Sequence, residues 1–318
     1  MNILIVGFGN FGKKYITLLN KNYKNFKIYL LRHSKSNNET KNYNIEGIFY
    51  SLDETNIINL DIVIITNPSC YHVETANYFI KNNINCLIEK PIDSTYSKAL
   101  SIINNNNCCI EVGYLLRHSK LYHYLIDCEK YVGKIIMIKI NVGQYLPNWR
   151  NIDYRKCVSS SKDKGGGVIL ELSHDLNYLI GILNNISNSY NYKIKSFYRK
   201  GSNLDIDVED ICNIIMEIEI NDKYKINVSI NLDMIDFDSN RSCKIIGNEG
   251  TLNVDFVNKN VKLFKKNDEN KILLSNCHEN LLEKQFSYFL SNIKNSKYQN
   301  KNLNDAIKTM KLINDIKS

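Results

Sequence analysis

"MNILIVGFGNFG", Met1 to Gly12, opens the chain, and the order of its parts decides how the rest is read. Asn2 to Val6 is a short apolar run of the length of a buried strand. It passes without a break into three glycines spaced GxGxxG. A helix-like stretch from Lys13 to Asn22 and a second strand from Phe26 to Leu31 follow. In that setting each glycine has a task. Gly7 makes the tight turn, Gly9 lets a pyrophosphate approach the backbone, and Gly12 lets the helix pack on the strand. Asn10 and Phe11 then lie at a helix N-terminus, where free N–H groups and the dipole favour an anion. The spacing alone is a weak signal; directly after the first strand it points to a dinucleotide.

Outward from this loop, strands are expected at Gly47 to Ser51, Asp61 to Thr66, Ile84 to Ile88 and Cys108 to Gly113, with helical segments at Tyr71 to Lys81 and Ser94 to Asn105. Strands alternating with helices imply a doubly wound parallel sheet with right-handed crossovers, whose ligands sit at the carboxyl ends of its strands. Two segments fall at such ends. "TNPSCYH" places Thr66, Asn67, Pro68 and His72 at the crevice, and "EKP" places Glu89 and Lys90 there. A lysine at the mouth of a buried strand can act on a substrate oxygen. In a chain this rich in lysine an ordinary surface role is the competing reading.

The end of the second strand bears on the cofactor. An NAD-preferring site usually has an acid about 20 residues beyond the glycines, whereas here Leu31 is followed by Arg32, His33, Ser34 and Lys35. Arg32 can bond a 2'-phosphate with its fork, and Ser34 and Lys35 add a donor and a charge. NADP(H) is therefore favoured over NAD(H), against the alternative of a solvated basic loop.

At 318 residues the chain is long enough for two domains. Its apolar and charged fractions are those of a globular protein, and no run reaches the roughly 18 to 20 apolar residues of a spanning helix. The N-terminus has no basic leader or cleavage site, so a cytoplasmic protein without membrane partners is expected. The net charge of +8 is spread along the chain rather than gathered in a stripe, which argues against nucleic acid. The nine cysteines lack metal-ligand spacing, so reduced thiols and no metal are expected.

The second half changes character. Gly133 to Gly143 reads as a strand, and Glu217 to Ile220 and Lys225 to Leu232 alternate apolar and polar residues like antiparallel strands with one covered face. "GNEG", Gly247 to Gly250, is a turn between two more. "GGGVILELSH", Gly165 to His174, concentrates three of only 14 glycines before an apolar segment. The glycines suggest a loop that admits a ligand close to the backbone, leading into a buried helix from Val168 to Ile180 with a core stripe of Val168, Leu172, Leu176 and Leu179. Glu171 and His174 then project together from a neighbouring face. Upstream, "QYLPNWRNIDYR" carries the single tryptophan. Trp149 offers a flat apolar surface for a sugar ring, with Tyr154 nearby. Arg150 and Arg155 suit a carboxylate or phosphate, or else pair with acids such as Asp153.

The glycine loop, "DIVIITNPSCYH" at Asp61 to His72, "NNINCLIEKPI" at Asn82 to Ile92, "VGYLLRH" at Val112 to His118 and "GGGVILELSH" together resemble the Gfo/Idh/MocA family of NAD(P)-dependent oxidoreductases. "GNEGTL" at Gly247 to Leu252 and the closing "LNDAIKTMKLINDIKS", Leu303 to Ser318, are also similar. The resemblance implies a Rossmann domain at residues 1–118. After it would come an α/β domain at 119–318, with a large open, mostly antiparallel sheet that often serves as an oligomer interface, here for a homodimer or homotetramer. It implies hydride transfer to or from carbon centres of sugars, sugar acids, nucleotide sugars and related molecules, with surface-glycan metabolism one setting. The family also contains members without turnover and reductases of C=N or C=C bonds. By motif position the catalytic residues fall on Lys90, His174 and Glu171, with Arg117 on the substrate side. Many members place the acid four residues before the histidine, whereas Glu171 precedes His174 by three. An ungapped count from the glycines sets Asp175 at the histidine's place. Whether Glu171 or Asp175 assists is open at this level.

Overall fold

The computed structural model describes residues 1–35, 40–105, 107–221, 224–266, 271–295 and 300–318. The chain divides into two compact units, Met1–Tyr114 with Leu282–Met310, and Leu115–Leu281 with Lys311–Ser318. A single boundary along the chain therefore does not describe the division, because residues 282–310 return to the first unit.

The first unit contains β1 (Asn2–Val6), α1 (Asn10–Asn22), β2 (Lys27–Leu31), β3 (Gly47–Phe49), β4 (Ile62–Ile65), α2 (His72–Ile80), β5 (Asn85–Ile88), α3 (Tyr96–Leu100) and β6 (Ile110–Val112). Its six strands lie in the order β3-β2-β1-β4-β5-β6, with every pairing parallel. That is the doubly wound order whose switch point lies between β1 and β4. Both sheet faces are covered, as a parallel sheet requires. Ile3, Ile5, Ile62 and Ile64 pack on one side with Tyr15, Ile16 and Leu19 of α1, and Leu4, Val63 and Ile65 on the other are equally buried.

Two elements depart from the sequence expectation. The helix expected at Ser94 to Asn105 stops at Leu100. Beyond it, the Ile103 N–H donates to Asn77 Oδ1 at 2.8 Å, and the Asn105 amide donates to the Ile80 carbonyl and Asn83. Asparagine side chains thus compete with the helical ladder. A helix with no sequence assignment, α8 (Leu281–Ile293), brings Phe286 and Phe289 into the α1 core with no exposure. Truncating either to alanine would cost about 3–5 kcal/mol.

The second unit contains α4 (Lys120–Ile126), α5 (Glu129–Val132), β7 (Ile135–Gly143), α6 (Val168–Glu171), α7 (Ser173–Ile186) and β8 (Tyr190–Arg199). Beyond these come β9 (Ile211–Ile220), β10 (Tyr224–Asp233), β11 (Asn240–Gly247), β12 (Thr251–Asp255), β13 (Asn260–Phe264) and β14 (Lys271–Leu274). The last helix, α9 (Lys301–Lys317), contributes its end from Lys311 onward. Eight strands form one sheet, β14-β13-β12-β11-β7-β10-β9-β8, antiparallel except where β10 runs alongside β7. Cys212, Ile214, Met216, Ile218 and Ile220 of β9 point to the covered face, and Asn213 and Ile215 to the open one. On that open face Asn213, Asn231 and Asn141 are hydrogen-bonded in a row across three strands, each at 2.8 Å. Among the described residues no helix is long and apolar enough to cross a membrane, and all nine cysteines are free thiols.

Candidate active site

At the carboxyl end of the first sheet the three glycines do three different things. Gly7 has φ of +96°, and a Cβ there would stand 2.8 Å from the Asn67 nitrogen. At Gly12 a Cβ would meet the Gly7 carbonyl oxygen at 2.2 Å, so the helix approaches the turn only without a side chain. Gly9, which caps α1, would meet nothing within 4 Å. The space at Gly9 therefore opens outward at a helix N-terminus, which fits a pyrophosphate. Asn10 beside it is exposed and Phe11 half-buried. The Thr66 hydroxyl donates toward the Val6 and Gly7 carbonyls at 2.9 and 3.1 Å, tying the β4 end to the glycine turn. Asn67 and Pro68 are half-buried at that edge. The Asn67 amide donates to Thr75, while its buried Oδ1 has no hydrogen-bond partner among the described residues.

At the end of β2 the Arg32 guanidinium lies over the Phe8 ring at 5.1 Å. The Lys13 ammonium is 4.9 Å from the same ring and Tyr43 meets it edge-on. Arg32 Nε and Nη1 are buried without an acceptor among the described residues. Such donors are rarely left unmet, and a phosphate is the group their fork suits. His33 and Ser34 are exposed beside it, and Lys35 reaches the Tyr50 ring at 5.7 Å.

From Cys86 to Asp93 every residue is buried except Lys90. The end of β5 thus leaves Lys90 alone partly exposed in an otherwise closed segment. Glu89 does not share that exposure. It was expected at the crevice, but it is folded beneath the lysine, with the Tyr15 hydroxyl against it and Lys90 N donating to its Oε2 at 3.3 Å. Burial pushes its carboxyl up to about 7, while the Lys90 charge and hydrogen bonds from Lys90 N and Tyr15 pull the other way. The Tyr15 hydroxyl also lies 3.3 Å from Gln285 Oε1 of α8. Neither had a sequence signal: Tyr15 reads as an ordinary position of the first helix, and Gln285 falls in a segment with no assignment. His72 is likewise a correction. It is buried, with Nδ1 at 2.8 Å from the Pro91 carbonyl and Nε2 at 2.8 Å from the Asn67 carbonyl, so its ring serves the protein rather than a coenzyme.

The second unit repeats this pattern. From Gly165 to Leu183 every residue is buried except Glu171 and His174. The expected single helix is interrupted between them at Leu172, where φ and ψ are −93° and 20°, and it runs on to Ile186. Asp175, next to His174, has no exposure and pairs with Arg241 of β11 at 3.2 Å, with the Tyr178 hydroxyl also against it. The three glycines differ from expectation too. Gly165 and Gly167 have φ of +82° and +108°, but a Cβ at Gly166 would meet the Val158 carbonyl at 2.4 Å and one at Gly167 the Glu209 carboxylate at 2.5 Å. The room they make is filled by the chain's own residues rather than left for a ligand.

Of the remaining residues, Arg117 donates through Nε to Asn177 Oδ1 at 2.6 Å, which ties it to α7, the helix that carries His174. The Trp149 indole donates to the Gln144 carbonyl at 3.2 Å and Arg150 to the Ser159 hydroxyl at 3.2 Å. The Tyr154 hydroxyl accepts from Asp205 N. Arg155 takes the pairing alternative, holding Asp153 at 2.8 Å on the surface. Among the described residues no group of three or more His, Cys, Asp or Glu side chains is placed to hold a metal.

Residues 1–114 match the Gfo/Idh/MocA oxidoreductase family, NAD-binding Rossmann fold. No curated protein sequence matches the chain. Among solved structures the chain is similar to the WlbA dehydrogenase from Bordetella pertussis in complex with NADH and UDP-GlcNAcA. The two are 14% identical with a TM-score of 0.77, over 99% of this chain and 95% of that one. The UDP-N-acetylglucosamine 3-dehydrogenase GnnA from Acidithiobacillus ferrooxidans gives 15% and 0.77, over 100% and 96%. Biliverdin reductase from Synechocystis, in complex with biliverdin and NADP+, gives 12% and 0.77, over 99% and 98%.

Proposed function

We propose that this chain, whose residues 1–114 match the Gfo/Idh/MocA oxidoreductases, oxidises or reduces a carbon of a sugar or sugar derivative with a bound NAD(P). The nicotinamide, when bound, supplies or accepts the hydride. The observation that carries the proposal is the burial pattern: two closed segments expose only Lys90 in one and only Glu171 and His174 in the other. An ammonium, an imidazole and a carboxylate are what a hydroxyl–carbonyl interconversion asks of a protein. Lys90 polarises the substrate oxygen, His174 exchanges its proton, and Glu171 orients the imidazole.

The first unit, Met1–Tyr114 with Leu282–Met310, carries the residues proposed for the coenzyme, and the second, Leu115–Leu281 with Lys311–Ser318, most of those proposed for the substrate. The unmet Arg32 donors support NADP(H) over NAD(H). Arg117, Trp149, Arg150 and Tyr154 favour an anionic substrate such as a sugar acid or nucleotide sugar, a class that the WlbA complex also holds. The exposed Ile136, Ile215 and Phe197 on the open sheet face support a homodimer or homotetramer, and nine free thiols support a cytoplasmic setting.

The test is a spectrophotometric screen of purified protein with NADP(H) and NAD(H) against sugar acids, nucleotide sugars and keto-sugars. Turnover with one of them is expected, and coenzyme binding without turnover on any would overturn the proposal. The likeness to biliverdin reductase supports one second reading, reduction of a conjugated bond. Turnover of biliverdin in the same screen, without sugar turnover, would select it.

A further inference from the structure

The His72 imidazole sits at the start of α2 with both ring nitrogens engaged. Nδ1 is 2.8 Å from the Pro91 carbonyl, one residue beyond Lys90, and Nε2 is 2.8 Å from the Asn67 carbonyl at the end of β4. The ring therefore joins two strand-end turns, one carrying the proposed catalytic lysine and one packed against Gly7 of the glycine loop. A carbonyl oxygen has no proton to give. A neutral ring has one N–H, so its other nitrogen would set a lone pair against an oxygen lone pair at hydrogen-bond distance. Only the imidazolium, with two N–H groups, makes both contacts attractive.

We infer that His72 is a positioning residue: a buried imidazolium that donates one hydrogen bond to each turn and so holds Lys90 in register with the coenzyme loop. This rests on the proposed function only in taking Lys90 as the residue being positioned.

The surroundings bear on the charge. Burial works against it and lowers the pKa of the ring, while the Pro91, Asn67 and Glu89 backbones and the Asp93 carboxylate work for it. Asp93 has no exposure and lies just beyond Pro91 and Ile92 in the turn after β5. Its Oδ2 accepts from Val73 N at 3.3 Å, one residue from His72, and its Oδ1 accepts from Ser94 N at 2.7 Å and from the Ser94 hydroxyl at 3.2 Å. From α3 the Lys98 ammonium donates to the Cys70 carbonyl at 2.9 Å, two residues before the ring. Asp93 is thus the buried counter-charge and Lys98 the opposing cation at the rim.

The experiment is long-range proton–nitrogen correlation NMR on the ¹⁵N-labelled full chain at pH 7, with His72→Gln used to identify the His72 signals among those of the six histidines. Both ring nitrogens in the protonated shift range are expected, and a neutral tautomer with one unprotonated nitrogen would overturn the inference. Kinetics supply the second arm. His72→Phe, which has no donor, is expected to lower kcat roughly 10- to 100-fold, and His72→Gln, whose amide has two N–H groups, to recover part of it. Unchanged kcat in a folded His72→Phe protein would sink the positioning role. The NMR arm needs no turnover, so a charged ring in a protein inactive on every substrate counts against the proposed function alone.

Discussion

Asp175 and Arg241 are joined at 3.2 Å, from the first turn of α7 to the second residue of β11, and the Asp175 side chain has no exposure. The acid beside His174 is therefore committed to holding the helix on the sheet. Removing one partner of such a pair strands a buried charge. Asp175→Asn should lower unfolding free energy by about 3 kcal/mol, whereas Glu171→Gln should leave it within about 0.5 kcal/mol and lower kcat instead. Urea denaturation and steady-state kinetics on both variants check this division, and equal stability losses would contradict it.

Lys90→Ala and His174→Ala should each lower kcat roughly 100-fold or more. NADP(H) binding should persist, because the glycine loop and Arg32 are left unchanged. Coenzyme fluorescence titration beside turnover measurement separates the two effects. Full activity in both variants would remove these residues from the chemistry.

The glycine loop offers a matched pair of substitutions. A methyl group at Gly12 would collide with the Gly7 carbonyl, whereas one at Gly9 would meet nothing within 4 Å. Gly12→Ala should therefore destabilise the fold. Gly9→Ala should keep its melting temperature and lose coenzyme affinity, because the added methyl occupies the space proposed for the pyrophosphate. Calorimetry with and without NADP(H) reads both outcomes.

Arg32→Ala removes the donors proposed for the 2'-phosphate. NADPH affinity should fall roughly 10- to 100-fold, the range of a charge-assisted hydrogen bond, while NADH affinity stays unchanged. An equal loss for both coenzymes would place Arg32 in general support of the loop rather than in phosphate recognition.

Glu89 makes stability depend on pH with a definite sign. Its carboxyl is raised from 4.5 to about 7 in the folded protein by burial. Between those values the folded state binds more protons than the unfolded one, so this group's contribution to stability falls as pH rises through that window and is level above it. Glu89→Gln should flatten this part of the curve of unfolding free energy against pH. A wild-type curve that rises across the window would show that other groups dominate it.

Much of the first unit was legible in the primary structure because its signals are local. A glycine that must avoid a carbonyl, an apolar run buried on both faces, and a helix starting after Gly9 each depend on neighbours a few residues away. Lys90 was legible only in part: its place at the end of a buried strand admitted an ordinary surface role, and its motif position in the family resemblance singled it out. What was illegible depended on distant partners. The end of α3 is set by Asn77 of α2, α8 reads as an amphipathic helix with no address, and Tyr15 meets Gln285 across most of the chain.

The residues near His174 show the limit most clearly. Spacing alone admitted Glu171 or Asp175 as the histidine's helper, since both are carboxylates within a helical turn of it. The sequence by itself determined that an acid and an imidazole would travel together behind three glycines. Tertiary structure decided what Asp175 does: Arg241, brought alongside by β11, closes over it, while Glu171 and His174 are the two partly buried residues of an otherwise buried segment. The physical reason is that charge pairing and burial are set by what the fold packs against a helix, and a helix does not encode its neighbours.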